Sequence, residues 1–150
     1  NELANLLKKK FNDKIKIINN DILEIEENSL SDETFIVYGN LPYNISTEIL
    51  SKWILNMNSN KTWFSCLILM FQKEVADRII SNFNTSNYGR LTVLANWRLN
   101  IKKVCDIKPS SFYPKPKVES SLLFFEPKKK FFLFQKSKKF RKNYKSFFYA

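Results

Sequence analysis

The chain has 150 residues, a formal net charge of +11, 44% apolar and 15% aromatic side chains, which suits one domain of ordinary size. It contains no histidine, which excludes imidazole acid–base catalysis, Ser–His–Asp triads and histidine metal sites, and no apolar run is long enough for a membrane-spanning helix. The positive charge points to a polyanionic partner and the aromatic content is compatible with base stacking, although heavy use of Lys, Asn, Ile and Phe also follows from biased base composition in coding DNA.

The chain starts at Asn1 with no signal-like segment, so a piece of a longer protein is expected, with targeting unreadable. Cys66 and Cys105 each sit in an apolar run without a CxxC partner, so two buried free thiols are expected rather than zinc. Glu2 to Phe11 places Leu3, Leu6, Leu7 and Phe11 at helical spacing, with Lys8, Lys9 and Lys10 at the end that favours cations, and predicts a surface helix. Residues 14–18 (KIKII) predict a short strand running into Asn19-Asn20-Asp21. An acid just after a strand of a doubly wound sheet can accept a hydrogen bond from a cofactor's adenine amine; a turn or capping role for Asp21 is the alternative. Residues 24–34 are acidic and polar, a loop.

Residues 34–53, TFIVYGNLPYNISTEILSKW, are the most informative run. Phe35, Ile36 and Val37 form an apolar strand reaching Gly39, then Asn40-Leu41-Pro42-Tyr43, and Ser46 or Thr47 opens an amphipathic helix. Ligands of open α/β sheets sit beyond the carboxyl ends of strands, where this loop lies. The four residues suit methyl transfer to the exocyclic amine of a planar base. The Asn40 side-chain oxygen and the Leu41 carbonyl, as acceptors for the amine hydrogens, would favour a more tetrahedral nitrogen and stabilise developing positive charge. Pro42 restricts its own φ and the residue before it, holding that carbonyl, and Tyr43 offers a flat face for stacking. An ordinary turn also uses Asn, Pro and Gly.

Beyond the motif, Ile49, Leu50, Trp53, Ile54 and Met57 mark one buried helix face. Residues 62–71 (TWFSCLILMF) predict a strand covered on both faces. Residues 72–80 (QKEVADRII) predict a helix with Val75, Ile79 and Ile80 inward and Lys73, Glu74, Asp77 and Arg78 outward. After a polar loop at 82–87, Tyr88-Gly89-Arg90 opens a helix carrying Leu91, Val93, Leu94 and Trp97; Arg90 suits either a phosphate contact or a salt bridge. Residues 101–107 and 118–125 predict strands joined by KPSSFYPKPK without an intervening helix, an antiparallel hairpin at the sheet's end. Pro109, Pro114 and Pro116 stiffen that loop around Phe112 and Tyr113, which could wall a base held against Tyr43 or simply anchor the loop. From Pro127 cations accumulate around Phe140, Tyr144, Phe147 and Phe148, a basic helix that suits RNA phosphate or a solvated face packed on further chain.

Three spans together, GNLPYNIS at 39–46, FQKEVADRI with YGRLTV at 71–93, and PSSFYPKPKVESSLLFF at 109–125, closely resemble the ribosomal RNA adenine dimethyltransferases of the small subunit. The related macrolide-resistance methylases of large-subunit RNA share parts of the pattern; FQKEVADRI followed by YGRLTV is more similar to the dimethyltransferases. The resemblance implies an α/β, class I, Rossmann-like methyltransferase fold with an incomplete sheet, using S-adenosylmethionine on small-subunit ribosomal RNA or an immature subunit. It also implies a monomer, cytoplasmic or organellar.

By the same resemblance, Asp21, Ile22 and Asn40 contact the cofactor, Asn40, Leu41 and Pro42 face the target amine, Tyr43 stacks on the adenine and Phe112 covers its other face. Arg90, Lys115, Lys117, Lys139, Arg141 and Lys142 are the candidate RNA contacts. Residues 1–126 would be the later part of the methyltransferase domain, and 127–150 a basic linker opening a helical domain. The family's glycine-rich loop and its ribose-binding acid have no counterpart here, so a fragment inactive by itself is expected. The 14–18 strand would then lack its neighbours, leaving a gap or a rearranged sheet. A non-catalytic RNA-binding assembly factor and a related large-subunit ribosomal RNA or DNA adenine methylase are the competing readings.

Overall fold

The computed structural model describes residues 2–57 and 62–129, and the chain divides into two units between Ser31 and Asp32. In the first, α1 (Glu2–Phe11) has its acid, Glu2, in the first turn and Lys8, Lys9 and Lys10 in the last, as the helix dipole favours. It runs into the short 3-10 turn Asn12–Lys14. Residues 15–19 are irregular, so the strand expected at 14–18 does not form. Strand propensity is realised only through a paired neighbour, and no described strand pairs with this segment.

The second unit is a mixed four-stranded sheet with helices. Its strands are β1 (Phe35–Asn40), β2 (Phe64–Gln72), β3 (Leu99–Ile107) and β4 (Ser120–Pro127), in the spatial order β1-β2-β4-β3. β1 and β2 are parallel, joined through α2 (Ser46–Leu55), while β4 runs antiparallel to both β2 and β3. The hairpin expected at one end of the sheet is therefore β3–β4.

β2 lies inside the sheet, and its unbroken apolar run follows from that position. Phe64, Leu67, Leu69 and Phe71 are buried, with the Phe71 ring edge-on to Phe125 of β4 at 6.1 Å between centroids. From α2, Ile49, Leu50, Trp53 and Ile54 are buried, followed by Met57, and Trp53 meets Trp63 edge-on at 5.4 Å. Burying each such side chain is worth about 1.5–3 kcal/mol, so this apolar face, rather than helix propensity, holds α2.

β1 shows the alternation of a strand with one covered face, leaving Ile36 and Tyr38 exposed. α3 (Lys73–Ile79) follows β2 directly and buries Ala76 and Ile79; α4 (Arg90–Arg98) buries Thr92, Leu94, Ala95 and Arg98. Val93 is exposed, and Thr92 beside it is buried. The Thr92 hydroxyl donates to the Arg78 carbonyl at 2.6 Å and accepts from the Gly89 amide at 3.2 Å. With both capacities used, a polar side chain is accommodated inside.

The expectation of two buried thiols fails at Cys105, which is exposed, while Cys66 is half-buried; both are free. Cys105 lies on edge strand β3, where the pairing with β4 shifts register between Lys103 and Cys105. The bulge breaks the inward–outward alternation that the sequence pattern assumes.

Candidate active site

Asn40 ends β1, opposite Met70 of β2, and is exposed at the carboxyl edge of the parallel pair. Leu41 turns inward and is buried, so the backbone pivots about a fixed point between two exposed residues, Asn40 and Pro42. The turn is tied twice: the Ile45 amide donates to the Pro42 carbonyl at 3.2 Å, and the Ser46 hydroxyl donates to the Tyr43 carbonyl at 3.1 Å. Ser46 is buried at the start of α2, so this contact seats Tyr43 on the helix end. Gly39 fits closely just before it, since a Cβ there would lie 2.8 Å from Leu69 Cδ2 and 2.9 Å from Leu41 Cδ2 and those side chains would have to shift.

The antiparallel direction of β4 brings its first residues to this same edge, with Ser120 opposite Gln72, the last residue of β2. The loop at 108–119 therefore arrives beside the turn at 40–43. The two are joined by a hydrogen bond between the Tyr43 hydroxyl and Ser120 Oγ at 2.6 Å. Phe112, in the middle of that loop, is half-buried, and its amide donates to the Pro109 carbonyl at 3.2 Å. Tyr113 is fully exposed, and the Tyr113–Pro114 peptide is cis.

Charges brace the loop's base. The Lys73 amide donates to the Glu119 carbonyl at 2.9 Å, and Lys73 Nζ donates to Glu119 Oε2 at 2.7 Å. Lys103 reaches Asp77 and Asp106, each at 3.1 Å, while Ser121 donates to Asp106. The Ser121 hydroxyl, then Lys103, holds the Asp106 carboxyl below the usual carboxylate range, and the Glu119 contact raises the Lys73 ammonium. An open hollow of about 400 Å³ lies against this network, with Gln72, Asn87 and Val118 among its walls. Lys73 and Asp77, expected on a solvated helix face, thus meet charges from the sheet and the loop.

Within the first unit, Asp21 is exposed in a turn rather than at the end of a strand. Its Oδ1 accepts from the Leu23 amide at 2.9 Å, and its carbonyl accepts from Glu24. Ile22 beside it is half-buried. Of the candidate RNA contacts, Arg90 is exposed at the start of α4, and Lys115 and Lys117 are exposed in the loop of Phe112. Lys139, Arg141, Lys142 and the apolar stripe through Phe140, Tyr144, Phe147 and Phe148 lie outside the described residues. The sequence reading missed Ser120 and the Lys73–Glu119 pair; the only signal was the polar triplet Glu119-Ser120-Ser121 ahead of an apolar strand.

The family model for ribosomal RNA adenine dimethylase matches residues 1–149. The chain belongs to the ribosomal RNA adenine dimethylase family. Among the curated members, a ribosomal RNA small subunit methyltransferase A of Pelagibacter ubique is 62% identical over 147 residues, covering 98% of this chain and 56% of the relative. One of the same description from Zymomonas mobilis is 42% identical over 118 residues, 79% of this chain and 42% of the relative. The chain spans about half the length of the curated relatives it matches. Among solved structures, a dimethyladenosine transferase of Plasmodium falciparum superposes with a TM-score of 0.69 at 32% identity, over 85% of this chain and 45% of that one. The 23S rRNA methyltransferase ErmE gives 0.67 at 26%, over 88% and 51%. The fold is that of these methyltransferases, here an α/β one with a mixed four-stranded sheet.

Proposed function

We propose that the whole protein to which this chain belongs dimethylates the exocyclic amine of adenines in small-subunit ribosomal RNA during ribosome maturation in the cytoplasm. The carrying observation is that the Asn40–Tyr43 turn and the Phe112 loop share the carboxyl edge of the sheet and are joined by the Tyr43–Ser120 hydrogen bond. The relatives' descriptions as small-subunit RNA methyltransferases support the choice of substrate.

In this reading Tyr43 and Phe112 take the two faces of an adenine drawn out of single-stranded RNA. Extruding a base costs a few kcal/mol, and stacking on one aromatic ring is worth about 1–3 kcal/mol, so two faces offset it. The Asn40 amide oxygen and the Leu41 carbonyl accept the amine's hydrogens. The buried Leu41 side chain and Pro42 keep that carbonyl from turning away. No side chain need act as a base on the neutral amine, consistent with a chain that contains no histidine.

S-adenosylmethionine, when bound, supplies an electrophilic methyl group. Asp21 fits such a ligand in chemistry: it is exposed, and the Leu23 amide bond engages Oδ1, leaving Oδ2 as acceptor for an adenine amine. Ile22 would cover the ring and Asn40 would face the reacting end. Arg90, Lys115 and Lys117, with Lys139, Arg141 and Lys142 further on, would contact RNA phosphate. We take residues 1–126 as part of the methyltransferase domain and 127–150 as a basic linker into a helical one, in a monomeric enzyme.

The test is methyl incorporation into RNA of immature small subunits by the whole protein carrying Asn40→Ala or Phe112→Ala. Loss of the acceptor should raise the barrier by roughly 3–4 kcal/mol, a hundredfold or more in turnover. Near-native turnover in both variants would remove the assigned roles.

A further inference from the structure

Tyr43 is half-buried, and its hydroxyl is 2.6 Å from Ser120 Oγ across 77 residues of sequence. Ser120 is fully buried at the head of β4, opposite Gln72 of β2 on one side and Ile107 of β3 on the other. Its backbone is thus fixed by two ladders, and its short side chain has one rotatable bond with which to aim the hydroxyl. The preceding residue is also held, since the Glu119 carbonyl accepts the Lys73 amide. Ser120 is a rigid point on the sheet, placed where the loop carrying Phe112 ends.

We propose that Ser120 is a positioning residue, holding the Tyr43 hydroxyl so that the ring's direction and plane are set before a base arrives. This rests on the reading of Tyr43 as a stacking face. A phenol's hydroxyl hydrogen and the lone pair conjugated with the ring make its hydrogen bonds favour the ring plane. Tying the hydroxyl therefore restricts both the side chain's direction and its rotation about the ring axis. The same bond fixes the spacing between the turn at 40–43 and the base of the Phe112 loop, so one contact sets both walls. It also occupies the Tyr43 hydroxyl, leaving the ring's face, rather than its polar end, to meet the base.

The experiment uses the whole protein with Tyr43→Phe, Ser120→Ala and the double substitution, assayed on adenine-containing RNA alongside calorimetry of S-adenosylmethionine. Each single change should lower turnover on the order of five- to tenfold, the loss expected of one hydrogen bond. The double variant should match the weaker single rather than the product of the two, because both changes break one contact, with cofactor affinity within about twofold of wild type, because neither Tyr43 nor Ser120 is among the residues proposed to touch the cofactor. Losses that multiply, or a single variant at wild-type turnover, overturn the proposal. Tyr43→Phe leaves the buried strand untouched, so it decides the matter if Ser120→Ala fails to fold. Carbon-13 tyrosine signals give a readout independent of turnover: Ser120→Ala should shift the Tyr43 ring resonances and speed ring flipping. Unchanged ring signals sink the proposal even where RNA is methylated, whereas a wild-type protein that methylates no RNA sinks the methylation reading and leaves the bond to be judged by those signals.

Discussion

Gly39 has no unusual backbone angle, and no glycine among the described residues has a positive φ, so its requirement is one of space rather than of conformation. The atoms it would meet, Leu69 Cδ2 at 2.8 Å and Leu41 Cδ2 at 2.9 Å, belong to buried side chains. Overpacking a filled site usually costs about 1–3 kcal/mol. Gly39→Ala should therefore lower the denaturation midpoint of the whole protein by that amount. It should also reduce methyl incorporation further than stability alone explains, because any shift forced on Leu41 moves the carbonyl assigned to the target amine. An unchanged midpoint would mean that Leu69 swings aside at no cost. The same close approach explains why GNLPY was legible in the sequence: the tightest constraints fall on types that have no substitute. Thr92 shows the opposite case, since its burial depends on hydrogen-bond partners at Arg78 and Gly89 that hydropathy does not register.

At the scale of elements, α2 and β2 were legible because each buries one long, clearly patterned surface, and the β3–β4 hairpin because its connection holds no helix. The segment at 14–18 misled because KIKII describes a strand's composition but not its neighbour. What no pattern announced is the ionic bracing between α3, β3 and the Phe112 loop, which depends on β4 running antiparallel. Its pH response follows from the shifts. Asp106 has a folded-state value below its ordinary one, so its contribution is present above the ordinary carboxylate range and is lost as pH falls through the folded value. Lys73 and Lys103 have raised values, the latter through Asp77 first, so theirs is present below the ordinary lysine value and lost as pH rises through the folded one. Between those limits these groups add no slope. Asp106→Asn in the whole protein should lower stability at neutral pH by the contribution Asp106 makes there and flatten the acid side of the stability curve, read by denaturant titration at successive pH values; the alkaline limb should shrink as well, since Asp106 helps to raise both lysines. An unaltered acid limb would show that Asp106 is not among the groups whose protonation loosens this bracing. These pairs are exposed to solvent, and added salt should shrink the difference.

For the molecule as a whole, a net charge of +11 was the first feature of the sequence and carries least detail, because it names a polyanion without saying which cations touch it. The structure narrows this by location. Lys115 and Lys117 are exposed in the loop that ends at Ser120, next to the turn proposed to receive the base, whereas Lys73 and Lys103 are engaged with carboxylates. A lysine already engaged with a carboxylate displaces few of the counterions condensed on a nucleic-acid phosphate, whereas an exposed one that reaches the phosphate displaces them. Each phosphate neutralised on a single strand contributes about 0.7 to the slope of log affinity against log salt. Replacing Lys115 and Lys117 by Gln together should therefore lessen that slope by about 1.4 if each meets one phosphate. Replacing Lys103 by Gln should leave it nearly unchanged. Fluorescence anisotropy of the whole protein with a labelled adenine-containing single strand, titrated at several salt concentrations, measures both. An unchanged slope in the loop variant would move the RNA path off the Phe112 loop, and with it the reason for placing the base between Phe112 and Tyr43.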